Sequence, residues 1–145
     1  MRRTLGLDIG QKRTGAAITD ELYITAQPIG VRERTGYKSE LAWVMELMEK
    51  YDIERIVIGY PVNMSGEKGE RAQACASVAR KLKEALGLEV VLWDERLTTA
   101  EADRIMKDAG VSRKKRKKSV DQMAAQLILN GWMAAGGPRA KGVAE

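Results

Sequence analysis

The chain has 145 residues, which suits one domain of ordinary size and leaves no room for two full substrate-binding lobes. Hydrophobic residues make up 44% and charged residues 31%, enough for a sizeable core and unlike a disordered or collagen-like chain. Histidine is absent, which excludes Ser-His-Asp and Cys-His triads, and the single cysteine, Cys75, excludes an intramolecular disulfide or a Cys-x-x-Cys site, so a reducing cytoplasm is the simplest setting.

Thr4 to Gly10 alternates Leu5, Leu7 and Ile9 with Thr4, Gly6 and Asp8, the period of a strand. A polar turn, Gly10 to Thr14, leads to a second strand from Gly15 to Thr19. A third extended segment is predicted from Leu22 to Val31, with Pro28 placing it at a sheet edge. Tyr37 to Tyr51 repeats Leu41, Val44, Met45 and Met48 at helical spacing. Arg55 to Tyr60 contains Ile56, Val57 and Ile58, which suits a strand covered on both faces, and Pro61 ends it. Val62 to Gly69 reads as a loop, Glu70 to Leu86 as a helix stopped by Gly87, and Val90 to Trp93 as a short strand.

Two capping-box patterns follow. Thr98 with Glu101 opens a helix ending near Gly110, and Ser119 with Gln122 opens the last one, which runs to about Ala135. Residues 1–138 are thus expected to form one α/β domain with a mixed sheet, its helix-linked strands parallel through right-handed crossovers, and 139–145 a loose tail. No run of about 18 apolar residues occurs, so neither a membrane span nor an export signal is expected.

The net charge of +5 is concentrated: residues 107–118 carry +6 and the rest of the chain −1. One basic segment on a nearly neutral body points to a polyanion contact, the alternative being a solvated loop. Asp8, Glu95 and Asp121 each have an ordinary explanation taken singly. Asp8 could cap a strand end, Glu95 could pair with Arg96, and Asp121 could sit in the first turn after Ser119, where the helix dipole favours an acid by about 0.3 to 1 kcal/mol. Together, three carboxylates on three elements in a chain without histidine form the donor set of Mg²⁺ or Mn²⁺. Such an ion activates water and neutralises phosphoryl charge, and phosphodiester hydrolysis is the chemistry expected.

The basic run Arg113, Lys114, Lys115, Arg116, Lys117 and Lys118 would then deliver phosphate contacts beside the acids. Lys12 and Arg13 at the hairpin tip, with Lys68 and Arg71 before the second helix, are further candidates, against the reading of plain surface charges. Gly10 to Gly15 has P-loop spacing, but Ala16 and Ala17 stand where Lys and Ser or Thr are needed, which rules out a Walker A site.

Four blocks in order, LGLDIGQKRTGAAITD, IVIGYPVNMSG, VVLWDERLTTAEA and SRKKRKKSVDQMAAQLIL, cover nearly the whole chain and resemble the YqgF/RuvX family, proposed as Holliday-junction resolvases and as nucleases processing the 5′ end of precursor 16S ribosomal RNA. The resemblance implies a ribonuclease H-like fold: a five-stranded mixed sheet, its first three strands antiparallel and the rest parallel, flanked by helices. It also implies catalytic and metal-holding roles for Asp8, Glu95 and Asp121. Other resolvases of that superfold usually show four acids. Here the fourth strand ends in Gly59, Tyr60 and Pro61, and Ala124 stands a turn beyond Asp121.

The expected mechanism has the three acids hold one or two Mg²⁺ or Mn²⁺ ions while Lys12, Arg13, Lys68, Arg71, Arg96 and the basic run position the strand. The expected substrate is structured RNA such as precursor 16S ribosomal RNA, with branched DNA as the alternative, acted on by a monomer or homodimer. Two other classes compete. A non-catalytic nucleic-acid-binding module would need no converging acids, and an actin-like kinase lobe, which opens with a similar Asp-x-Gly hairpin, would need a second lobe.

Overall fold

The computed structural model describes residues 2–61, 69–94, 108, 110, 113–140 and 142, with the backbone alone over 113–122. Its strands are β1 (Arg3–Ile9), β2 (Arg13–Thr19), β3 (Ala26–Glu33), β4 (Ile53–Tyr60) and β5 (Glu89–Asp94). The helices are α1 (Tyr37–Lys50), α2 (Glu70–Leu86) and α3 (Arg113–Ala134), followed by a 3-10 turn, Gly137–Arg139. The strands form one sheet in the order β3-β2-β1-β4-β5. Strands β1 to β3 pair antiparallel, and β4 and β5 join parallel, as the sequence leads one to expect. Among the described residues no helix is long and apolar enough to cross a membrane.

Both faces of the sheet are covered, which is why β1, β2 and β4 are buried over most of their length rather than on alternate residues. On one face Leu5, Leu7, Ile9, Ile56 and Ile58 pack with Trp43, Val44 and Leu47 of α1 and Cys75, Val78 and Leu82 of α2. On the other, Ala17 and Val57 meet Ala125, Ile128, Leu129 and Trp132 of α3. Gly6 decides how closely α3 approaches: a Cβ there would stand 2.5 Å from Leu129 Cγ.

Several boundaries differ from the sequence reading. The third strand starts at Ala26, not Leu22, because Asp20 Oδ1 accepts the backbone N–H groups of Ile24 and Thr25 at 2.7 and 2.8 Å and folds residues 20–25 into a turn. Those amides, Thr25 first, hold the Asp20 carboxyl below its usual range. β3 is an edge strand, as Pro28 predicts, and the register slips between Ala16 and Ala17 beside it. The buried face of α1 is Glu40, Trp43, Val44 and Leu47, one position round from the row predicted, and Met45 is exposed.

The last helix begins at Arg113 rather than Ser119, so the capping-box assignment fails. Asp121 stands in the third turn, beyond the range over which a helix dipole supports a first-turn acid. The expected helix from Thr98 and the loop from Val62 fall outside the described residues, Gly69, Asp108 and Gly110 apart. Past the 3-10 turn, Ala140 packs against the α3 cluster, and Gly142 lies against Val91 and Leu92 of β5, where a Cβ would come within 2.8 Å of the Leu92 carbonyl oxygen.

A polar network locks α3 to the opposite end of the sheet from Asp8. Tyr23, at a positive φ of 58°, donates its hydroxyl proton to Glu54 and accepts from Thr4 Oγ1 at 3.1 Å. Arg55 donates from Nε to Glu89 at 2.8 Å and lies 5.6 Å over the Trp132 ring, which Tyr23 meets edge-on at 5.9 Å. These partners hold Tyr23 in a backbone region that costs a non-glycine residue about 1 to 2 kcal/mol. Burial, then the Glu54 hydrogen bond, push the Tyr23 phenol above its ordinary 10.0.

Two outcomes are expected. Gly6→Ala should destabilise the fold by about 1 to 3 kcal/mol in urea titration, because Leu129 must move or be strained. An acid whose pKa rises on folding lends stability that is complete below the unfolded value and fades as pH rises above it. Unfolding free energy should therefore fall as pH climbs past about 10, and Tyr23→Phe should flatten that decline.

Candidate active site at the carboxyl ends of the central strands

Asp8 lies opposite Gly15 of β2 and one step past the Leu7–Ile58 pair with β4. It therefore stands at the carboxyl end of the middle strand, level with Gly59, which pairs with Trp93 of β5. Its side chain shares a face with Gly6, two residues earlier, and so looks to the α3 side. Asp8 is only 7% exposed, and within the fold it is not without a partner.

α3 runs antiparallel to β1. Trp132 sits by Arg55 at the start of β4, Leu129 lies over Gly6, and earlier helix residues lie progressively nearer the Asp8 end. Position 121 is eight residues before Leu129, about 12 Å along the helix, while Asp8 is about 7 Å beyond Gly6 along the strand. Backbone geometry thus carries both positions to the same end of the domain, with 121 in the row of the buried Ala125, Ile128 and Trp132. Glu95 follows Asp94, the last residue of β5, and lies outside the described residues, as do Arg96 and Lys68. Among the described residues no three potential metal ligands are grouped together. Ala124 is fully buried, so no acid is available a turn beyond position 121.

Lys12 lies on the turn after Asp8, and Arg13 is the first residue of β2, which starts two residues before the predicted Gly15. Lys12 is exposed, and Gly10 N donates to the Arg13 carbonyl at 2.8 Å, a closure so tight that a Cβ on Gly10 would reach that oxygen at 2.9 Å. Arg71 is exposed in the first turn of α2, and Arg113 to Lys118 occupy the first turns of α3.

Sequence reasoning missed the group that holds this turn in place. Glu40 of α1, 6% exposed, accepts from Thr14 Oγ1 at 2.8 Å and stands 2.7 Å from Arg34 Nε. That pair is close but off the hydrogen-bond line, and Glu40 Oε2 is buried with no hydrogen-bond partner among the described residues. Arg34 donates from Nη1 to the Gly10 carbonyl at 2.8 Å, and its backbone N–H donates to Lys12 O at 2.8 Å. The signal available was the helical row Glu40, Trp43, Val44, Leu47, which puts a charge on a buried face.

A mixed sheet in this order, with an acid on the middle strand and a helix crossing over it, defines a ribonuclease H-like domain. The fold matches RuvC from T. thermophilus bound to a Holliday junction, with a TM-score of 0.57 at 14% identity, covering 99% of this chain and 100% of that one. It also matches the fowlpox virus resolvase in complex with junction DNA, with a TM-score of 0.54 at 13% identity over 92% and 97% of the two chains. Residues 2–135 match the RuvX family, described as Holliday junction resolvase, and the chain belongs to that family. Proposed pre-16S rRNA nucleases of Lachnospira eligens and Myxococcus xanthus are 46% and 44% identical to it. The matches cover 90% and 94% of this chain, and 96% and 90% of those proteins.

Glu40→Ala should remove the carboxylate that balances Arg34 and cost about 3 kcal/mol in urea unfolding, the lower end for a buried pair because Arg34 is partly exposed. Glu40→Gln, which keeps the shape and an acceptor for Thr14, should cost less.

Proposed function

We propose that this protein is a metal-dependent nuclease that hydrolyses phosphodiester bonds in processing the 5′ end of precursor 16S ribosomal RNA in the cytoplasm. The observation that carries the reading is Asp8: a buried carboxylate at the carboxyl end of the middle strand, facing the helix that bears Asp121, in a chain 46% identical to a proposed pre-16S rRNA nuclease. The donor chemistry fits a hard cation, since Asp8, Glu95 and Asp121 offer only carboxylate oxygens. These three residues would hold Mg²⁺ or Mn²⁺, one ion or two. When bound, such an ion would neutralise phosphoryl charge and lower the pKa of water beside it.

Asp8 is paired with Gly15 of β2 and follows directly on the Leu7–Ile58 pair with β4, so its carboxylate stands on a strand of the sheet rather than on a loop. Lys12 and Arg13, at the turn pinned by Arg34, would meet the phosphates of the strand entering the site. Arg113 to Lys118 would meet those leaving it. A run of cations at a helix start adds positive charge to the positive end of the dipole, and a polyanion relieves that repulsion. Lys68 and Arg96 complete the proposed contact surface.

The test is to incubate purified protein with precursor 16S RNA and with a four-way DNA junction, under Mg²⁺ and under Mn²⁺, with the protein's mass in solution measured alongside. RNA shortened at its 5′ end is expected, and a monomer suffices for it; symmetric junction cutting needs a paired site. Asp8→Asn should lower cleavage about a hundredfold or more while leaving the thermal transition in place. Undiminished cleavage by Asp8→Asn overturns the site, and junction cutting with intact RNA overturns the substrate.

A further inference from the structure

On the face of the sheet opposite Asp8, at the same end of β1, a cavity of about 240 Å³ is lined by polar Gln11, Arg34, Glu70 and Arg71 over Ile9 and Cys75. Its floor is apolar and its polar lining is rich in donors. The Arg34 guanidinium is already oriented, its Nη1 on the Gly10 carbonyl and its Nε beside Glu40. Nη2 has no hydrogen-bond partner among the described residues, so the N–H groups of a fixed planar fork remain for a ligand. Arg71 and Gln11 are both exposed and contribute the other charged and amide donors.

The ligand class follows from the charges. Two arginines call for an anion with oxygens spaced for a guanidinium, a phosphate or a carboxylate, and beside the proposed nuclease site the phosphates of the strand are the anions at hand. Glu40 behind Arg34, and Glu70 beside Arg71, offset much of that positive charge, so a dianion is disfavoured relative to a monoanion. A phosphodiester carries one negative charge, and a terminal or free phosphate carries close to two. Only Ile9 separates Asp8 from Gly10, and both Ile9 and Gly10 line the cavity, so it lies at the same end of β1 as the carboxylate.

We propose that this cavity seats an internal phosphodiester of the nucleic-acid strand, a near neighbour of the one held for cleavage at Asp8, with Arg34, Arg71 and Gln11 as donors. The inference rests on the nuclease reading. Glu40 and Thr14 are positioning residues that set the Arg34 fork, and the β1–β2 turn forms one wall. The seat would fix which bond of the strand lies over the acids.

The experiment measures binding of fluorescently labelled single-stranded RNA by anisotropy in EDTA, where no metal-dependent cut occurs, across a series of salt concentrations. Arg71→Gln, an exposed change, and Arg34→Gln should each lower the slope of log K against log salt by about 0.7, one phosphate contact on a single strand. RNA with a neutral methylphosphonate in place of one internal phosphate should, at one position along the strand, bind wild type as weakly as Arg71→Gln. Wild-type slopes in both variants overturn the seat. A deficit confined to 5′-phosphorylated RNA, or competition by inorganic phosphate at the wild type's own RNA affinity, also overturns it in favour of a monoester site. Asp8→Asn is assayed separately for cleavage with Mg²⁺, so failure of the nuclease reading and failure of the seat give different results.

Discussion

The contact between Gly6 and Leu129 sets the distance between the middle strand and the helix above it, and the placement of the candidate acids depends on that distance. With no Cβ on β1 at this point, a leucine side chain fills the space, and α3 settles directly onto the sheet. Asp8 is the next residue on the same face, so whatever fixes the helix against Gly6 also fixes how far Asp8 stands from the row that carries position 121. A bulkier strand residue would lift the helix and carry the row of position 121 away from Asp8 without touching Asp8 itself.

The far end of the same helix is secured differently. There Tyr23, Arg55 and Trp132 combine ring contacts with hydrogen bonds to Thr4, Glu54 and Glu89. Apolar packing alone would let α3 slide along the sheet, since one leucine-sized contact resembles the next. A directional network at one end fixes the register for the whole helix. Gln126 adds a further tether, donating from Nε2 to the Ala26 carbonyl at 2.9 Å. The polar residues remote from the acids thus hold the acid-bearing helix in place.

Much of the architecture could be read before any coordinates. The alternation of Leu5, Leu7 and Ile9, the solid run Ile56, Val57, Ile58, and Gly87 after Leu86 each reflect a local rule that the fold obeys. The errors share a physical cause. Ser119 with Gln122 satisfies a local capping pattern, yet the helix extends six residues further back, because Lys and Arg are good helix formers and a run of them does not stop a helix. In the site, the acids stood out as residue types and through a family resemblance. The Arg34–Glu40–Thr14 group did not, since it joins the end of β3, the start of α1 and the start of β2, and its partners meet only once the chain has folded back on itself. The one-position rotation of the α1 face hid Glu40 among residues expected to be wet.

The two borders of the sheet deserve a final physical consequence. A five-stranded open sheet has two outer strands whose unused amide and carbonyl groups can recruit another chain. On one border, Pro28 deletes a donor and the local slip in pairing twists the ribbon out of true. On the other, the segment returning at Gly142 rests against Val91 and Leu92. Among the described residues each outer strand thus carries a feature that works against growth by strand addition, and the molecule has its own defence against stacking into fibrils.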